Sequence, residues 1–370
     1  MTASASLRRT GCSVGIVAAC AVTLFTGVAG AALAAAAPPP ANARVEIVTS
    51  PSVQVAYTGL AGANLVSLDN LADGRFRFTD VAPIEVGPGC LVAKASPGQF
   101  AAICDAPTLS PGVLKAVKVN LGAGDDSFQT ASPAGVRVDG GPGNDVITGG
   151  PVGDQLRDSQ GEDTLRGGPG ADTLDTDGAS DTLTDTLEGD EGDDDLHGNI
   201  GNDVLSGGPG QDVMRGDLGG DTFDGGADFD TVTYMDNGHG SQRLVITIDG
   251  VNDDGLRPPF TSQSEENDNV TASVEKVVGN AGDDTITGND DPNTLDGNSG
   301  RDTLIGLKGA DHLLGRAGDD TLASNRLFGV PVQDGAIDTL SGDTGFDTCR
   351  VPFVNVEADV TNSCEAINQD

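Results

Sequence analysis

The sequence predicts an all-β protein in which short repeated units stack into a flat, right-handed coil, and three observations support this. Aromatic residues make up only 4% of the 370 residues and there is no Trp, whereas Gly occurs 54 times, so a bulky core is not expected. Of the 57 acidic residues, 47 are Asp, the acid of turns and hard-cation sites. From Leu121 onward, a unit of nine residues recurs.

Charge divides the chain into two parts. Residues 1–119 carry 6 acids and 8 bases, a net charge of +2, whereas residues 120–370 carry 51 acids and 12 bases, a net charge of −39. The second part repels nucleic acid and anionic membrane surfaces and attracts cations. We therefore expect calcium ions as partners, with no nucleic-acid partner and no membrane insertion once the leader is removed.

The N-terminus has the pattern of a secretory signal peptide. Arg8 and Arg9 precede a mostly apolar run, 14–37, which closes on small residues. We place the signal peptide at 1–36 and a Pro-rich linker at 37–43, and predict a secreted, extracellular protein. A retained membrane anchor and a lipoprotein anchor at Cys20 are the alternatives.

Four cysteines remain in the predicted mature chain, as one local pair near each end. Because exported proteins favour disulfides, we predict the bonds Cys90–Cys104 and Cys349–Cys364. Four buried free thiols are the alternative.

Residues 44–120 form the predicted β-rich N-terminal region. Apolar residues alternate with period two, as in Val53, Val55 and Tyr57, and Gly and Pro separate the runs. We expect five to seven strands that cap the first coil, because an open end of a stacked structure exposes unpaired strand edges.

The nine-residue unit is clearest in Gly140–Thr148. Copies start at 140, 149, 158, 167 and 176; after four inserted residues, 185–188, at 189, 198, 207, 216 and 225; after a spacer at 279, 288, 297, 306 and 315; and singly at 121, 333 and 342. These copies define a first repeat block at 121–233, a spacer at 234–278, a second block at 279–350 and a C-terminal cap at 351–370.

Each position of the unit has its own constraint. Position eight is apolar in all 18 copies, position six is Asp in 17 and Asn293 in one, and Gly fills position one in 14 copies and position four in 13. The last three residues therefore favour a strand with one inward side chain, as at Leu165, Leu174 and Leu205. The first six favour a tight turn. Two units would make one coil, with every second unit stacked directly above its predecessor.

The stacking brings carboxylates together at the turns. Each position-six side chain faces the copy two units along, where turn carbonyls complete an anionic, all-oxygen cage that suits Ca²⁺ better than Mg²⁺, zinc or copper. Three runs of five units give about nine stacked pairs, so we expect roughly nine or more ions. The candidate ligands are Asp126, Asp145, Asp154, Asp163, Asp172, Asp181, Asp194, Asp203, Asp212, Asp221, Asp230, Asp284, Asp302, Asp311, Asp320, Asp338 and Asp347.

The unit resembles the haemolysin-type, or RTX, calcium-binding repeat, Gly-Gly-x-Gly-x-Asp-x-(apolar)-x, which Gly167–Asp175 and Gly207–Arg215 match in full. The resemblance implies a parallel β-roll in which position-six Asp side chains and turn carbonyls hold Ca²⁺. Some copies depart from it, and we expect weaker binding or distorted turns there. The departures are Asp158-Ser159 in copy 158, Thr176-Asp177 and Ala179 in copy 176, and Val152, Asp228, Asp291 and Ala336 at position four.

The spacer contains a predicted strand, Leu244–Ile248, followed by acids. We predict an ordinary solvated loop for the acids, with an irregular Ca²⁺ site as the alternative. They are Asp249, Asp253, Asp254, Glu265, Glu266 and Asp268.

Nothing in the sequence indicates an enzyme. There is no His-Glu-x-x-His motif and no Gly-x-Ser-x-Gly motif, and the three histidines, His197, His239 and His312, are scattered. We predict a non-enzymatic, exported calcium-binding protein that folds on binding metal. The alternative is a surface adhesion or ligand-binding protein in which the N-terminal region recognises a partner and the roll is a Ca²⁺-rigidified stalk. An RTX-type hydrolase or toxin is less favoured.

Overall fold

The computed structural model describes residues 43–48, 54–59, 62–71, 75–81, 83–88, 90–104, 117–176, 182–235, 240–256, 267–325, 337–351 and 360–369. The predicted signal peptide, 1–36, lies outside these ranges, as does the predicted linker apart from Ala43. Within them, every regular element is a β-strand.

The strands follow the predicted organisation of the chain. The N-terminal region contains β1 Ala43–Val48, β2 Gln54–Gly59, β3 Leu65–Asn70, β4 Phe76–Asp80, β5 Ile84–Val86, β6 Cys90–Ala93, β7 Phe100–Cys104 and β8 Val117–Asn120. The first repeat block contains β9 Ser127–Thr130, β10 Val136–Asp139, β11 Val146–Thr148, β12 Gln155–Arg157, β13 Thr164–Arg166, β14 Thr173–Asp175, β15 Thr186–Glu188, β16 Asp195–His197, β17 Val204–Pro209, β18 Val213–Arg215, β19 Thr222–Ala227 and β20 Thr231–Thr233.

The spacer contributes β21 Leu244–Thr247, β22 Gly255–Leu256, β23 Asn269–Val270 and β24 Lys276–Val278. The second block contains β25 Thr285–Thr287, β26 Thr294–Asp296, β27 Thr303–Ile305, β28 His312–Leu314, β29 Thr321–Ala323, β30 Thr339–Ser341 and β31 Thr348–Val351. The C-terminal segment adds β32 Val360–Asn362 and β33 Ala366–Gln369.

The repeats form a parallel β-roll, as predicted. Successive strands alternate between two faces, and each pairs in parallel with the strand two units along, so that Leu156, Leu174 and Leu196 lie side by side in register. The position-eight residues Leu165, Leu174 and Leu205 are fully buried, as expected. A β-branched residue at position seven, next to this inward side chain, favours the extended backbone.

One face of the roll is continuous and the other is divided. The continuous face is a sheet of 15 strands, in the order β32-β30-β28-β26-β24-β20-β18-β16-β14-β12-β10-β8-β2-β1-β5. The opposite face consists of an 11-stranded sheet, β23-β19-β17-β15-β13-β11-β9-β3-β4-β7-β6, and a 7-stranded sheet, β22-β21-β25-β27-β29-β31-β33. The division falls at the spacer.

The N-terminal region supplies the first coil of the roll. Strand β2 pairs in parallel with β8, placing Tyr57 beside Val119, and β3 pairs in parallel with β9, placing Val66 beside Phe128. Strands β1 and β4 then close the two faces by antiparallel pairing. The region thus covers the first edge, as capping requires, with eight strands where five to seven were predicted.

The sequence register around copy 176 was wrong. Leu183, the predicted inward residue, is 44% exposed, whereas Leu187 is fully buried and lies in register between Leu165 and Leu205. Residues 176–188 therefore form one long unit, with the four extra residues in its turn rather than after its strand. A surface turn accommodates an insertion with little loop-closure cost, whereas a gap between strand and turn would break the stacking. Asp181 lies outside the described residues.

The prediction of a solvated acidic loop in the spacer was also wrong for two acids. Asp254 and Asp268 are each only 1% exposed, whereas Asp249 and Asp253 are exposed. The backbone N–H of Thr247 in β21 donates to Oδ1 of Asp254 at 2.6 Å, and that of Val270 in β23 donates to Oδ2 at 3.0 Å. One carboxylate thus joins the two sheets of the divided face. Glu265 and Glu266 lie outside the described residues.

Both predicted disulfides are present, one near each end. Cys90–Cys104 joins the antiparallel strands β6 and β7, and Cys349–Cys364 joins β31 to the segment before β33. The C-terminal strands β32 and β33 add a last pair of strands to the roll. No metal or catalytic role is needed to explain these cysteines.

Replacing Leu187 and Leu183 tests the register of the long unit. We expect Leu187→Asp to destabilise the roll by about 3–5 kcal/mol even in excess Ca²⁺, because it buries a charge in a thin core. Leu183→Asp, the matched control in a turn, should leave the thermal unfolding midpoint nearly unchanged. Circular dichroism melts in saturating Ca²⁺ measure both. Equal loss in the two variants would contradict the register.

Candidate metal centres

The position-six aspartates line the two edges of the roll. All of those in the described part of the chain are buried, with at most 5% of each residue exposed. They are Asp126, Asp145, Asp154, Asp163, Asp172, Asp194, Asp203, Asp212, Asp221, Asp230, Asp284, Asp302, Asp311, Asp320, Asp338 and Asp347. Each ends a turn and precedes a strand, so the turn fixes where its carboxylate points.

A ladder of hydrogen bonds connects these aspartates. The backbone N–H of each donates to Oδ1 of the aspartate two units along, as from Asp172 to Asp194 at 2.7 Å and from Asp194 to Asp212 at 2.9 Å. The other edge shows the same bond, as from Asp302 to Asp320 at 2.8 Å. The expectation that copy n faces copy n+2 is therefore confirmed, and one oxygen of each carboxylate is fixed by the backbone.

Four acids outside the recognised copies also join the ladders. Asp163 donates its N–H to Asp185 at 2.9 Å, Asp221 to Asp268 at 2.9 Å, Asp230 to Glu275 at 2.8 Å and Asp347 to Glu365 at 2.7 Å. Each of these acids stands two residues before an apolar residue that extends a stacked strand, as in Asp185-Thr186-Leu187. This acid-x-apolar spacing, without the glycines, is the signal that could have identified them.

The second carboxylate oxygen is left without a hydrogen-bond partner in most turns. The buried Oδ2 atoms in this condition include those of Asp126, Asp145, Asp172, Asp194, Asp212, Asp230, Asp302, Asp320 and Asp347. A buried anionic oxygen without a partner is costly, and proteins satisfy such groups by hydrogen bonds or by metal ions. These oxygens fit a cation.

Glycine at positions one and four makes room for the remaining oxygens. At position four, Gly192 has φ 143° and Gly210 has φ 150°, and a Cβ on either would overlap the carbonyl oxygen of the glycine two units earlier. At position one, a Cβ on Gly207 would overlap Oδ2 of Asp212. Carbonyl and carboxylate oxygens therefore converge inside each turn, as hard-cation coordination requires.

One departure from the repeat is tolerated better than expected. Asp228 replaces the position-four glycine and still adopts φ 87°, so this turn keeps the left-handed backbone that the others have. Asp and Asn tolerate this conformation better than most residues do. Val152 and Asp291 do not adopt it, and Ala336 lies outside the described residues.

Three turns, those of copies 149, 279 and 288, close on themselves. Their position-two N–H donates to the position-six side chain of the same copy, from Gly150 to Asp154 Oδ2 at 2.6 Å, from Asn280 to Asp284 Oδ2 at 3.0 Å and from Asn289 to Asn293 Oδ1 at 2.7 Å. Asp154 also accepts from the N–H of Val136, and Asp284 from that of Leu244. Both oxygens of these two carboxylates are thus occupied by backbone donors.

The electrostatics of the open turns favour a bound positive charge. Burial, followed by neighbouring carboxylates, raises the pKa of Asp172 and Asp212 to about 7 and that of Asp302 to about 8, although backbone N–H donors oppose the shift. The aspartates repel one another along the ladder. A cation between them would relieve both the burial and the repulsion.

Copy 158 adds a third carboxylate to one turn. One oxygen each from Asp145, Asp158 and Asp163 lie within 4.8 Å of one another, and all three residues are buried. The pKa of Asp158 is raised to about 10 by burial and by Asp163 and Asp145. The sequence predicted a weak or distorted site here, whereas the structure gathers more negative charge than at an ordinary turn.

The histidines lie apart from these turns. His197 contacts Asp195 on its own strand at 2.9 Å, His312 is exposed on β28, and His239 lies outside the described residues. Among the residues that the structure describes, no helix has the length and apolar character needed to cross a membrane.

Comparison with known proteins agrees with the geometry. A family model described as the RTX calcium-binding nonapeptide repeat, in four copies, matches residues 137–151, 148–183, 184–214, 197–232, 271–304 and 287–322. A search of curated proteins found no match. The matches fall in both repeat blocks and cover turns with the hydrogen-bond ladder described above. Residues 137–232 and 271–322 of this chain are therefore RTX calcium-binding nonapeptide repeats.

Proposed function

We propose that this protein is an exported, non-enzymatic calcium-binding protein that binds several Ca²⁺ ions along both edges of its roll and folds as they bind. The observation that carries the proposal is the series of buried Oδ2 atoms without hydrogen-bond partners in the open turns. Uncompensated anionic oxygens at this depth are too costly to be spread along a stable fold.

The residues of each turn have separate tasks. Oδ1 of a position-six aspartate accepts a backbone N–H, which orients the carboxylate, and Oδ2 is presented to the inside of the turn. The glycines at positions one and four let carbonyl oxygens approach it. Bound Ca²⁺ supplies positive charge and accepts six to eight oxygens in irregular geometry, whereas Mg²⁺ demands a strict octahedron.

Binding and folding are coupled through charge. Residues 120–370 carry a net charge of −39, and the ladders bring many of these carboxylates into buried rows. The rows are unfavourable until cations neutralise them, so binding free energy becomes folding free energy. Affinities on the order of 10⁻⁴–10⁻³ M, as in extracellular calcium modules, match such a role.

Export is supported by the disulfides and by the N-terminal sequence. Cys90–Cys104 and Cys349–Cys364 suit an oxidising compartment. The basic start and apolar run of residues 1–36 have the pattern of a cleaved signal. The absence from the sequence of His-Glu-x-x-His and Gly-x-Ser-x-Gly motifs supports a non-enzymatic role.

A second candidate function is a surface protein that binds a partner through its N-terminal cap. Leu91 and Val92 on the edge strand β6 are 68% and 74% exposed, and Phe100 on β7 is 44% exposed. Exposed apolar side chains at a sheet edge suit a protein partner. A binding screen against cell-wall polymers with the full chain and a Leu91→Ser, Val92→Ser variant separates the two candidates.

Calcium removal tests the coupling of binding to folding. In chelator we expect an expanded chain with weak β signal, because the buried carboxylates repel. Adding Ca²⁺ to about 10 mM should restore a compact β-rich state, since this is well above the expected affinity range. Circular dichroism and the hydrodynamic radius are measured together. A spectrum that is indifferent to chelator would contradict the proposal.

Open and closed turns should differ in the ions that they hold. We expect Asp212→Ala to lower the bound Ca²⁺ by about one or two ions out of about nine, because Asp212 faces Asp194 and Asp230 in open turns. Asp154→Ala is the matched control, since both oxygens of Asp154 accept N–H donors. Equilibrium dialysis in saturating Ca²⁺ gives the counts. A total of only one or two ions, or equal losses in both variants, would refute this assignment.

The metal-free protein should gain structure at low pH. The pKa values of Asp172, Asp212 and Asp302 are raised to between about 7 and about 8 from an ordinary value near 3.8, so the folded state binds protons more tightly than the unfolded chain. Their contribution to stability is complete below about pH 4 and is lost as the pH rises through about 7–8. In chelator, the β signal should therefore be larger at pH 4 than at pH 8. The opposite trend would show that these carboxylates are not buried without metal.

A further inference from the structure

Asp158 is the only acid at position one of the repeat. Gly fills this position in 14 of the 18 copies, and the other three exceptions are Leu121, Thr176 and Gln333. Asp158 is only 2% exposed. Its carboxylate therefore enters the inside of a turn where the other copies place a hydrogen atom or an uncharged side chain.

The backbone holds three carboxylates in this turn. Oδ1 of Asp158 accepts the N–H of Ser159 at 2.9 Å. Oδ1 of Asp145 accepts the N–H of Asp126 at 2.7 Å, and Oδ1 of Asp163 accepts that of Asp145 at 2.9 Å. With one oxygen of each carboxylate anchored, the three side chains are oriented before any ligand arrives.

The free oxygens converge. Oδ2 of Asp145 and Oδ2 of Asp158 are buried and have no hydrogen-bond partner. One oxygen from each of Asp145, Asp158 and Asp163 lies within 4.8 Å of the others. A Cβ on Gly140 would overlap the carboxylate oxygens of Asp145 and Asp158, so the glycine of the neighbouring copy leaves the space that Asp158 uses.

The charges around Asp158 increase the need for a cation. The strongest charge interactions of Asp158 are with Asp163, Asp145 and Asp185, all of them acidic. Three carboxylates so close together in a buried turn repel strongly, and water cannot screen them well. A proton shared between two carboxylates or a bound metal ion can relieve the repulsion. Two unpartnered oxygens favour the metal, because a shared proton satisfies only one contact.

We propose that Asp145, Asp158 and Asp163 form a three-carboxylate site that binds a hard metal cation more tightly than the two-carboxylate turns and favours a trivalent over a divalent ion. This inference rests on the proposed calcium-binding function. Calcium affinity rises with the number of charged ligands and with the rigidity of the site. Ca²⁺ leaves the site with a net charge of −1, whereas a trivalent lanthanide neutralises it.

Asp158→Gly and Asp158→Asn test the site in the full chain. Asp158→Gly restores the consensus residue of the repeat, and Asp158→Asn keeps the size of the side chain without its charge. Thr176→Gly is the matched control, because Thr176 occupies the same position with an uncharged side chain that donates to the carbonyl oxygen of Gly198 at 2.6 Å. Each protein is titrated by calorimetry with Ca²⁺ and, separately, with La³⁺, and circular dichroism in saturating Ca²⁺ verifies folding.

The wild type and Thr176→Gly should bind one Ca²⁺ ion about ten-fold more tightly than the rest, and La³⁺ should fill that site first, at a concentration about ten-fold lower still. Both Asp158 variants should lose this tight class and keep the weaker ions. An unchanged tight class, or no tight class in the wild type with weak Ca²⁺ binding intact, would overturn the three-carboxylate site alone. Absence of Ca²⁺ binding in every protein would overturn the proposed function itself.

Discussion

The hydrogen bond from the backbone N–H of one position-six aspartate to Oδ1 of the next along the edge determines the geometry of the whole roll. This bond repeats along both edges, for example from Asp194 to Asp212 and from Asp302 to Asp320. Because it requires each turn to lie directly over the turn two units earlier, it sets the stacking of the strands, the burial of position eight and the direction of the second carboxylate oxygen. A side chain that seems to serve only metal binding therefore also sets the register.

The constraint also explains how non-repeat segments join the fold. Asn64 in the N-terminal region donates its N–H to Asp126 at the first rung, and Glu365 accepts from Asp347 at the last. In the spacer, Asp268 and Glu275 take the place of the repeat aspartate. Each segment needs only one suitably placed backbone group or carboxylate to continue the ladder, so glycine-poor sequence can extend a glycine-rich roll.

Much of the fold was predictable from periodicity, because a strict nine-residue period leaves one arrangement of inward and turn residues. Leu174 and Asp172 were assigned in this way. The sequence could not choose between Asp181-Thr182-Leu183 and Asp185-Thr186-Leu187, since the two triplets match in their acid, Thr and Leu and only stacking against Leu165 and Leu205 distinguishes them. Nor could it show that Gly150 closes its turn onto Asp154, which depends on backbone conformation, or that Asp158 points inward.

The divided face gives the roll a direction in which it bends most easily. One face is a 15-stranded sheet without interruption, whereas the other is joined across the spacer through Asp254 and its two backbone donors and a single antiparallel bridge to Asp268. Stretching the continuous sheet would break a full ladder rung, but opening the other face strains only these few bonds. Mechanical load along the axis should therefore concentrate at this joint, and the molecule should behave as two stiff rods connected by a one-sided hinge.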